Sequence, residues 1–110
     1  EITVTPLAAA AGALLPNINR WRRQIQLGSL TRQQLDQQIQ PIEVDGVPGH
    51  YIQLVGPHQT ILGAIVVHGD TAWFFKLKGD TALASRDQQH FKQFVESVRF
   101  GEVQGAKHGN

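Results

Sequence analysis

Apolar side chains recur with a helical period in the first third of the chain. Four of them follow at spacings of four, three and four, which places them on one stripe of a first helix. The stripe consists of Leu14, Ile18, Trp21 and Ile25. Thr31, with Gln34 three residues later, forms a capping-box pattern. This pattern predicts a short second helix that carries Leu35 and Ile39 inward.

A period of two marks the strands. The segment from Ile2 to Thr5 alternates apolar and polar residues, and Pro6 is expected to end this first strand. The aliphatic run from Ile61 to Val67 is rich in β-branched residues, which is typical of a central strand covered on both faces. Gly69 and Asp70 then predict a two-residue hairpin into another alternating strand. That strand has Trp73, Phe75 and Leu77 on one face and Phe74, Lys76 and Lys78 on the other.

An earlier hairpin precedes the central strand. Asp45-Gly46 suits the positive φ angles of a tight turn, and Pro48-Gly49 is expected to lengthen that turn. The segment from Tyr51 to Val55 is the returning strand. Strands joined by such short connections are antiparallel, because a parallel pair needs a long crossover.

The last apolar pattern is again helical. Phe91, Phe94, Val95 and Val98 stand at positions i, i+3, i+4 and i+7, which predicts a helix from about Leu83 to Val98 across the sheet. The sequence therefore predicts one α+β domain over residues 1–100, with an antiparallel sheet flanked by helices on both faces. Residues 101–110 are expected to form a flexible tail.

Composition narrows the function classes. The chain has 110 residues, of which 41% are hydrophobic and 17% charged, so it is too apolar for a disordered protein. Its net charge of +1 gives no global field for nucleic acid or anionic membranes. Cysteine is absent, which excludes disulfides, thiolate nucleophiles and Cys-ligated zinc within this sequence.

The beginning of the chain bears on export. It starts at Glu1 and contains no methionine, which indicates a processed protein or an excised piece of one. A signal peptide or lipid-attachment cysteine would lie upstream. No apolar run approaches the roughly 20 residues that span a bilayer.

Histidines supply the neutral-pH acid and base candidates. His50, His58 and His68 lie in neighbouring hairpins, so they could converge on a metal ion or serve a hydrolase. No HExxH motif is present, and surface or turn positions account for these residues more simply. The same holds for the remaining two, His90 and His108.

Other catalytic patterns are weak. The sequence has no G-x-S-x-G elbow, no G-x-G-x-x-G and no Walker loop, so no cofactor is expected. Glu43 and Asp45 share one face of a strand, the minimal arrangement for paired carboxylates, although a solvated hairpin edge is the simpler interpretation. Gly63 interrupts the central strand, which indicates a bulge or a close approach by a helix or ligand.

Arginine is concentrated in the first two helices. Residues 17–40 contain four arginines and one acid, a local balance of +3. Arginine beside an aromatic ring can stack on bases or clamp phosphates, but Trp21 belongs to the apolar stripe and should be buried. The candidate binding residues are Arg20, Arg22, Arg23 and Arg32. Their ordinary role would be the exposed face of amphipathic helices.

Three segments together resemble a known group of proteins. They are residues 14–22 (LLPNINRWR), 73–80 (WFFKLKGD) and 91–98 (FKQFVESV). The chain resembles uncharacterised, often exported or lipoprotein-type bacterial proteins that are frequent in planctomycetes. The last two segments also resemble the closing hairpin and helix of the PsbP-like fold, which the extrinsic photosystem protein shares with the Ran-binding Mog family.

This resemblance implies an antiparallel sheet between helices and a role in binding or scaffolding rather than catalysis. It assigns no site residue. The chain lacks the opening hairpin of complete members, which implies a C-terminal part of a longer protein.

Three functional hypotheses follow. The first is a non-enzymatic binding or assembly module of an exported or envelope-associated protein, with a protein or small ligand as partner. The second is a binder of an anionic ligand, or less readily of nucleic acid, through the arginines. The third is a hydrolase or metal enzyme that uses His50, His58 and His68.

Overall fold

A computed structural model describes residues 2–8 and 14–100. Over these ranges the chain is a small α+β domain with a five-stranded antiparallel sheet, as the sequence predicts. The elements in chain order are β1 (Ile2–Ala8), α1 (Leu14–Gln24), α2 (Arg32–Gln38), β2 (Gln40–Val44), β3 (Val47–Val55), β4 (Gln59–His68), β5 (Thr71–Asp80), α3 (Thr81–Arg86) and α4 (Gln88–Glu96). The expected flexible tail, 101–110, lies outside the described residues.

The strands lie in the order β1-β5-β4-β3-β2, so the aliphatic strand β4 is central, as predicted. Its residues from Thr60 to Val66 are all buried. Two-residue turns close both predicted hairpins, with φ angles of 52° at Asp45, 78° at Gly46 and 63° at Gly69. Because these left-handed residues complete the first turn alone, Pro48 belongs to β3, and the expectation that it lengthens the turn is wrong.

Pro6 does not end the first strand, which continues to Ala8. His68 and Thr71 close a two-residue hairpin and therefore exchange backbone hydrogen bonds. Every second residue of β5, counted from Thr71, likewise directs its N–H and C=O toward β4. The intervening residues of β5 bond β1 through Thr3 and Thr5, which leaves the backbone of Pro6 facing outward. Proline is tolerated at such an outward position of an edge strand, because no ladder bond needs its missing N–H.

Alternate side chains of the sheet enter two separate apolar clusters. One combines Leu62, Ala64 and Val66 of β4 with Phe91 and Val95 of α4. The other contains Ile61 and Ile65 of β4 and several residues from the first two helices and the loop between them. Those residues are Ile18, Trp21, Ile25, Leu30 and Leu35. β4 therefore contributes to both clusters, in agreement with the burial of every residue from Thr60 to Val66.

The first two helices follow their sequence pattern closely. Ile18, Trp21 and Ile25 are buried, and Leu14 packs partly against the same cluster. Thr31 and Gln34 form the predicted capping box, in which the Thr31 hydroxyl accepts from the Gln34 N–H at 3.2 Å.

The last predicted helix is two helices, α3 and α4, separated at Asp87. Phe91 and Val95 are buried, but Phe94 is 40% exposed, so its expected place in the core is wrong. At 100° per residue, Phe94 points about 60° away from Phe91, onto the flank of this short helix.

Candidate binding cleft

A cleft opens between helix α1 and the edge strand β1. Its volume is about 140 Å³, and we refer to it as the binding cleft. The lining residues are Thr3, Thr5, Arg20, Trp21, Gln24, Phe74 and Lys76. Trp21 and Phe74 meet edge to face, with their ring centroids 6.1 Å apart, and both are almost completely buried. The cleft thus combines an aromatic floor with polar walls.

Gly63 positions the aromatic floor. A β-carbon at this position of β4 would overlap the ring of Trp21, and even the ring atom Cη2 would lie 3.0 Å from it. The glycine therefore lets α1 approach the sheet closely through its tryptophan. Of the interpretations of this glycine, the close approach of a helix is the one that the structure supports.

Two cations and two hydroxyls surround the floor. Arg20 comes from α1 and Lys76 from β5, while Thr3 and Thr5 lie opposite Lys76 and Phe74 in the sheet register. The Lys76 Nζ donates to Gln24 Oε1 at 2.6 Å and lies 5.7 Å from the Trp21 ring centroid. Among the described residues, the lining contains no acid. A guanidinium, an ammonium and hydroxyl donors in one cleft can hold a carboxylate or a phosphate.

The four candidate arginines do not form one patch. Only Arg20 lines the binding cleft. The Nε of Arg22 donates to the Gly28 carbonyl oxygen, and burial lowers the pKa of the Arg22 guanidinium. Arg23 is exposed elsewhere on α1, and Arg32 is exposed at the first residue of α2.

The sequence patterns do not indicate four of the residues that line the binding cleft, namely Lys76, Thr3, Thr5 and Gln24. Lys76 follows Phe74 at a spacing of two, so the two side chains share a face of the strand. This spacing indicates that Lys76 faces a helix rather than open solvent. The sequence could not pair it with Thr3 or Gln24, because that pairing depends on the sheet register.

The structure does not bring together His50, His58 and His68. His58 lies in the turn before β4 and His68 at its other end, which at about 3.3 Å per residue separates them by roughly 30 Å. His50 lies opposite Ile65 in the sheet register. The side chains of Ile65 and His68 point to opposite faces of β4, so His50 and His68 also lie on opposite faces. The His68 ring stacks on Phe100, with centroids 4.5 Å apart.

Of the other two histidines, His90 is exposed on α4, and His108 lies outside the described residues. Within residues 2–8 and 14–100, no group of three or more metal-ligating side chains gathers.

The carboxylate pair also has a structural explanation. The Asp45 Oδ2 accepts a hydrogen bond from the backbone N–H of Phe100 at 2.8 Å. Glu43 is exposed on β2. Asp45 therefore anchors the end of the described chain to the first hairpin.

Fold and cleft together define a small α+β domain with a cationic, aromatic-floored cleft beside an edge strand. No protein-family model matches the chain. Comparison with curated proteins and with solved structures gives no match either. None of the helices in the described ranges is long and apolar enough to cross a membrane.

Proposed function

We propose that this domain is a non-enzymatic binding module of an exported or envelope-associated bacterial protein, and that it holds an anionic group in the binding cleft. One observation carries the proposal: Arg20, Lys76, Thr3 and Thr5 line one cleft together with a buried aromatic pair. The export component rests on the resemblance to lipoprotein-type bacterial proteins.

The proposed architecture is an α-β-α sandwich of the PsbP-like kind, with helices flanking both faces of the sheet. Its support is the division of the core, in which α1 and α2 contribute to one cluster and α3 and α4 to the other. The segments that resemble the PsbP-like fold correspond to β5 and α4.

The size of the cleft limits the ligand. At about 140 Å³ it is smaller than the roughly 300–1,000 Å³ of sites that enclose a cofactor or a drug-sized molecule. A carboxylate or phosphate group fits this space. Hydrogen bonds to charged groups are worth about 1.5–3 kcal/mol each. Two such contacts favour a dissociation constant on the order of 1 mM for a small free anion.

A titration with small probes tests the proposal. At low salt, benzoate and inorganic phosphate should shift the NMR signals of the Trp21 indole and of Arg20, whereas neutral benzamide should not. Arg20→Ala should weaken this binding about tenfold, since it removes a charge-assisted pair. Benzoate that binds as tightly to Arg20→Ala as to the parent would contradict the proposed site.

The chain offers matched controls for this substitution. Arg23 and Arg32 are exposed arginines outside the cleft lining. Their alanine variants should bind benzoate within about twofold of the parent, because exposed charges at a distance are screened by solvent. Equal losses in all three variants would indicate diffuse electrostatic attraction and no specific cleft.

The hydrolase and nucleic-acid hypotheses stay predictions. No observation in the described ranges favours either, since the three histidines lie apart and only one of the four arginines reaches the cleft.

A further inference from the structure

The two edge strands of the sheet, β1 and β2, differ in what they offer a partner. Every second residue of an edge strand directs its N–H and C=O away from the sheet. Such unpaired groups are a template for another strand, and proteins protect them with short strands, charges or prolines.

Strand β2 is protected by its sequence. It has five residues, and Val44 and Val47 close its hairpin as a bonded pair. By alternation, Pro41 and Glu43 are its outward-facing residues. Pro41 has no N–H to donate, and Glu43 places a charge on the same edge.

Strand β1 has an outward-facing proline at Pro6 as well, but the residues before it leave the edge open. Its seven residues, ITVTPLA, include no charge. The register directs the backbone of Ile2 and Val4 outward, since Thr3 and Thr5 are the residues that bond β5. The side chains of Ile2 and Val4 are 46% and 43% exposed. Two outward N–H groups and two apolar side chains are therefore available along this edge.

The binding cleft borders the same edge. Thr3 and Thr5 form its wall on β1, and their side chains lie on the sheet face opposite to those of Ile2 and Val4. A strand added to β1 would lie about 4.8 Å beyond it and direct alternate side chains to the two faces. One set would contact Ile2 and Val4, and the other would extend toward Arg20.

We propose that β1 accepts an extended segment of a partner protein by strand addition, and that this segment alternates apolar and acidic residues. The apolar residues cover Ile2 and Val4, and an acidic side chain enters the binding cleft beside Arg20. This proposal rests on the proposed function, because the acidic side chain is the anionic group that the cleft holds. It also names the partner class, an extended acidic polypeptide.

Charge complementarity favours such a partner over a second copy of this chain. If two copies paired through β1, the side chains that the described part of β1 directs to the cleft face would include those of Thr3 and Thr5. Neither residue carries a negative charge to meet Arg20. A partner with glutamate at alternate positions supplies that charge.

A backbone-specific substitution tests strand addition. Val4→Pro removes an outward N–H while leaving the bonds of Thr3 and Thr5 to β5 intact, as Pro6 does naturally. Val4→Thr is the matched control, because it keeps the N–H and the β-branched shape. The probe is a labelled Val-Glu-Val-Glu-Val peptide, compared by fluorescence anisotropy with its Gln and Lys counterparts.

The glutamate peptide should bind the parent and Val4→Thr with similar affinity. It should bind Val4→Pro about tenfold more weakly, since a strand partner loses a backbone bond and its register. The lysine peptide should not bind. Equal affinity for Val4→Pro and Val4→Thr, or preference for the lysine peptide, would overturn the proposal.

Benzoate binding separates this proposal from the proposed function. Val4→Pro should bind benzoate like the parent, which also shows that the fold and cleft are intact. If benzoate binds at Arg20 while no glutamate peptide binds, only strand addition is overturned. If sedimentation shows that the parent dimerises and Val4→Pro does not, the partner is a second copy and this proposal is overturned.

Discussion

A single pair, Gly63 and Trp21, determines how closely the first helix approaches the sheet. The indole occupies the space that a side chain at position 63 would need, and Trp21 is only 3% exposed. The same ring forms part of the cleft floor. The packing of the core and the shape of the candidate site therefore both depend on the absence of a β-carbon at position 63.

Gly63→Ala should lower the free energy of unfolding by about 1–3 kcal/mol, because the new methyl must displace a buried ring in a close-packed core. Urea unfolding followed by tryptophan fluorescence measures the change. Gly79→Ala is the matched control, since Gly79 also lies in a strand but would place its β-carbon in open space. Equal stability of the two variants would mean that Trp21 can move aside without loss.

Tyr51 presents a different kind of residue-scale feature. It is 1% exposed, and its hydroxyl has no hydrogen-bond partner among the described residues. Phe91 lies 6.4 Å away between ring centroids, and Lys92 Nζ lies 5.2 Å from the tyrosine ring centroid. Burial raises the pKa of Tyr51 because it disfavours the phenolate.

Tyr51→Phe should raise the free energy of unfolding by about 1 kcal/mol at neutral pH, since it removes an unsatisfied buried hydroxyl. The parent should also lose stability as pH rises above the ordinary tyrosine pKa of about 10, because the unfolded chain releases the Tyr51 proton first. The phenylalanine variant should lack this component. Urea unfolding from pH 7 to 11 measures both effects, and a variant less stable at pH 7 would mean that the hydroxyl has a partner.

At the scale of elements, local patterns predict most of the fold. The stripe of α1, the capping box of α2 and the left-handed turn at Asp45-Gly46 each depend on neighbours in sequence, and all three are confirmed. The central place of β4 follows from its almost unbroken aliphatic run.

The errors arise where the position of a residue in the sheet overrides its local preference. Pro6 and Pro48 lie within strands, because neither N–H is needed at its position in the ladder. Phe94 belongs to the apolar stripe that the sequence predicts for the last helix. The short helix α4 buries only the side that carries Phe91 and Val95, so Phe94 on its flank stays partly exposed.

The binding cleft lay beyond local patterns for the same reason. Arg20 and Lys76 are 56 residues apart in the printed sequence, and only the pairing of β1 with β5 beside α1 brings them together with Thr3. Sequence reasoning identified Arg20 from the composition of its helix but could not separate it from Arg22, which bonds the Gly28 carbonyl.

At the scale of the whole molecule, Phe100 connects parts that are distant in sequence. Its ring stacks on His68 and lies 5.8 Å from the Trp73 ring, so it covers the β4–β5 hairpin. Its N–H donates to Asp45 in the β2–β3 turn. Both hairpins lie at the same end of the sheet, because β3 and β4 are antiparallel neighbours. The end of the described chain thus holds two hairpins together.

Phe100→Ala should therefore destabilise the domain far more than Phe94→Ala, although both remove a phenylalanine near the chain end. Phe100 is 5% exposed and Phe94 is 40% exposed. Truncating a buried phenylalanine costs about 3 kcal/mol or more, which lowers the Tm of a domain of this size by roughly 13 °C or more. The exposed control should lose about 1 kcal/mol or less. Faster amide exchange at Gly46 and Gly69 in Phe100→Ala alone would place the loss at the two hairpins, and equal melting of both variants would contradict this role.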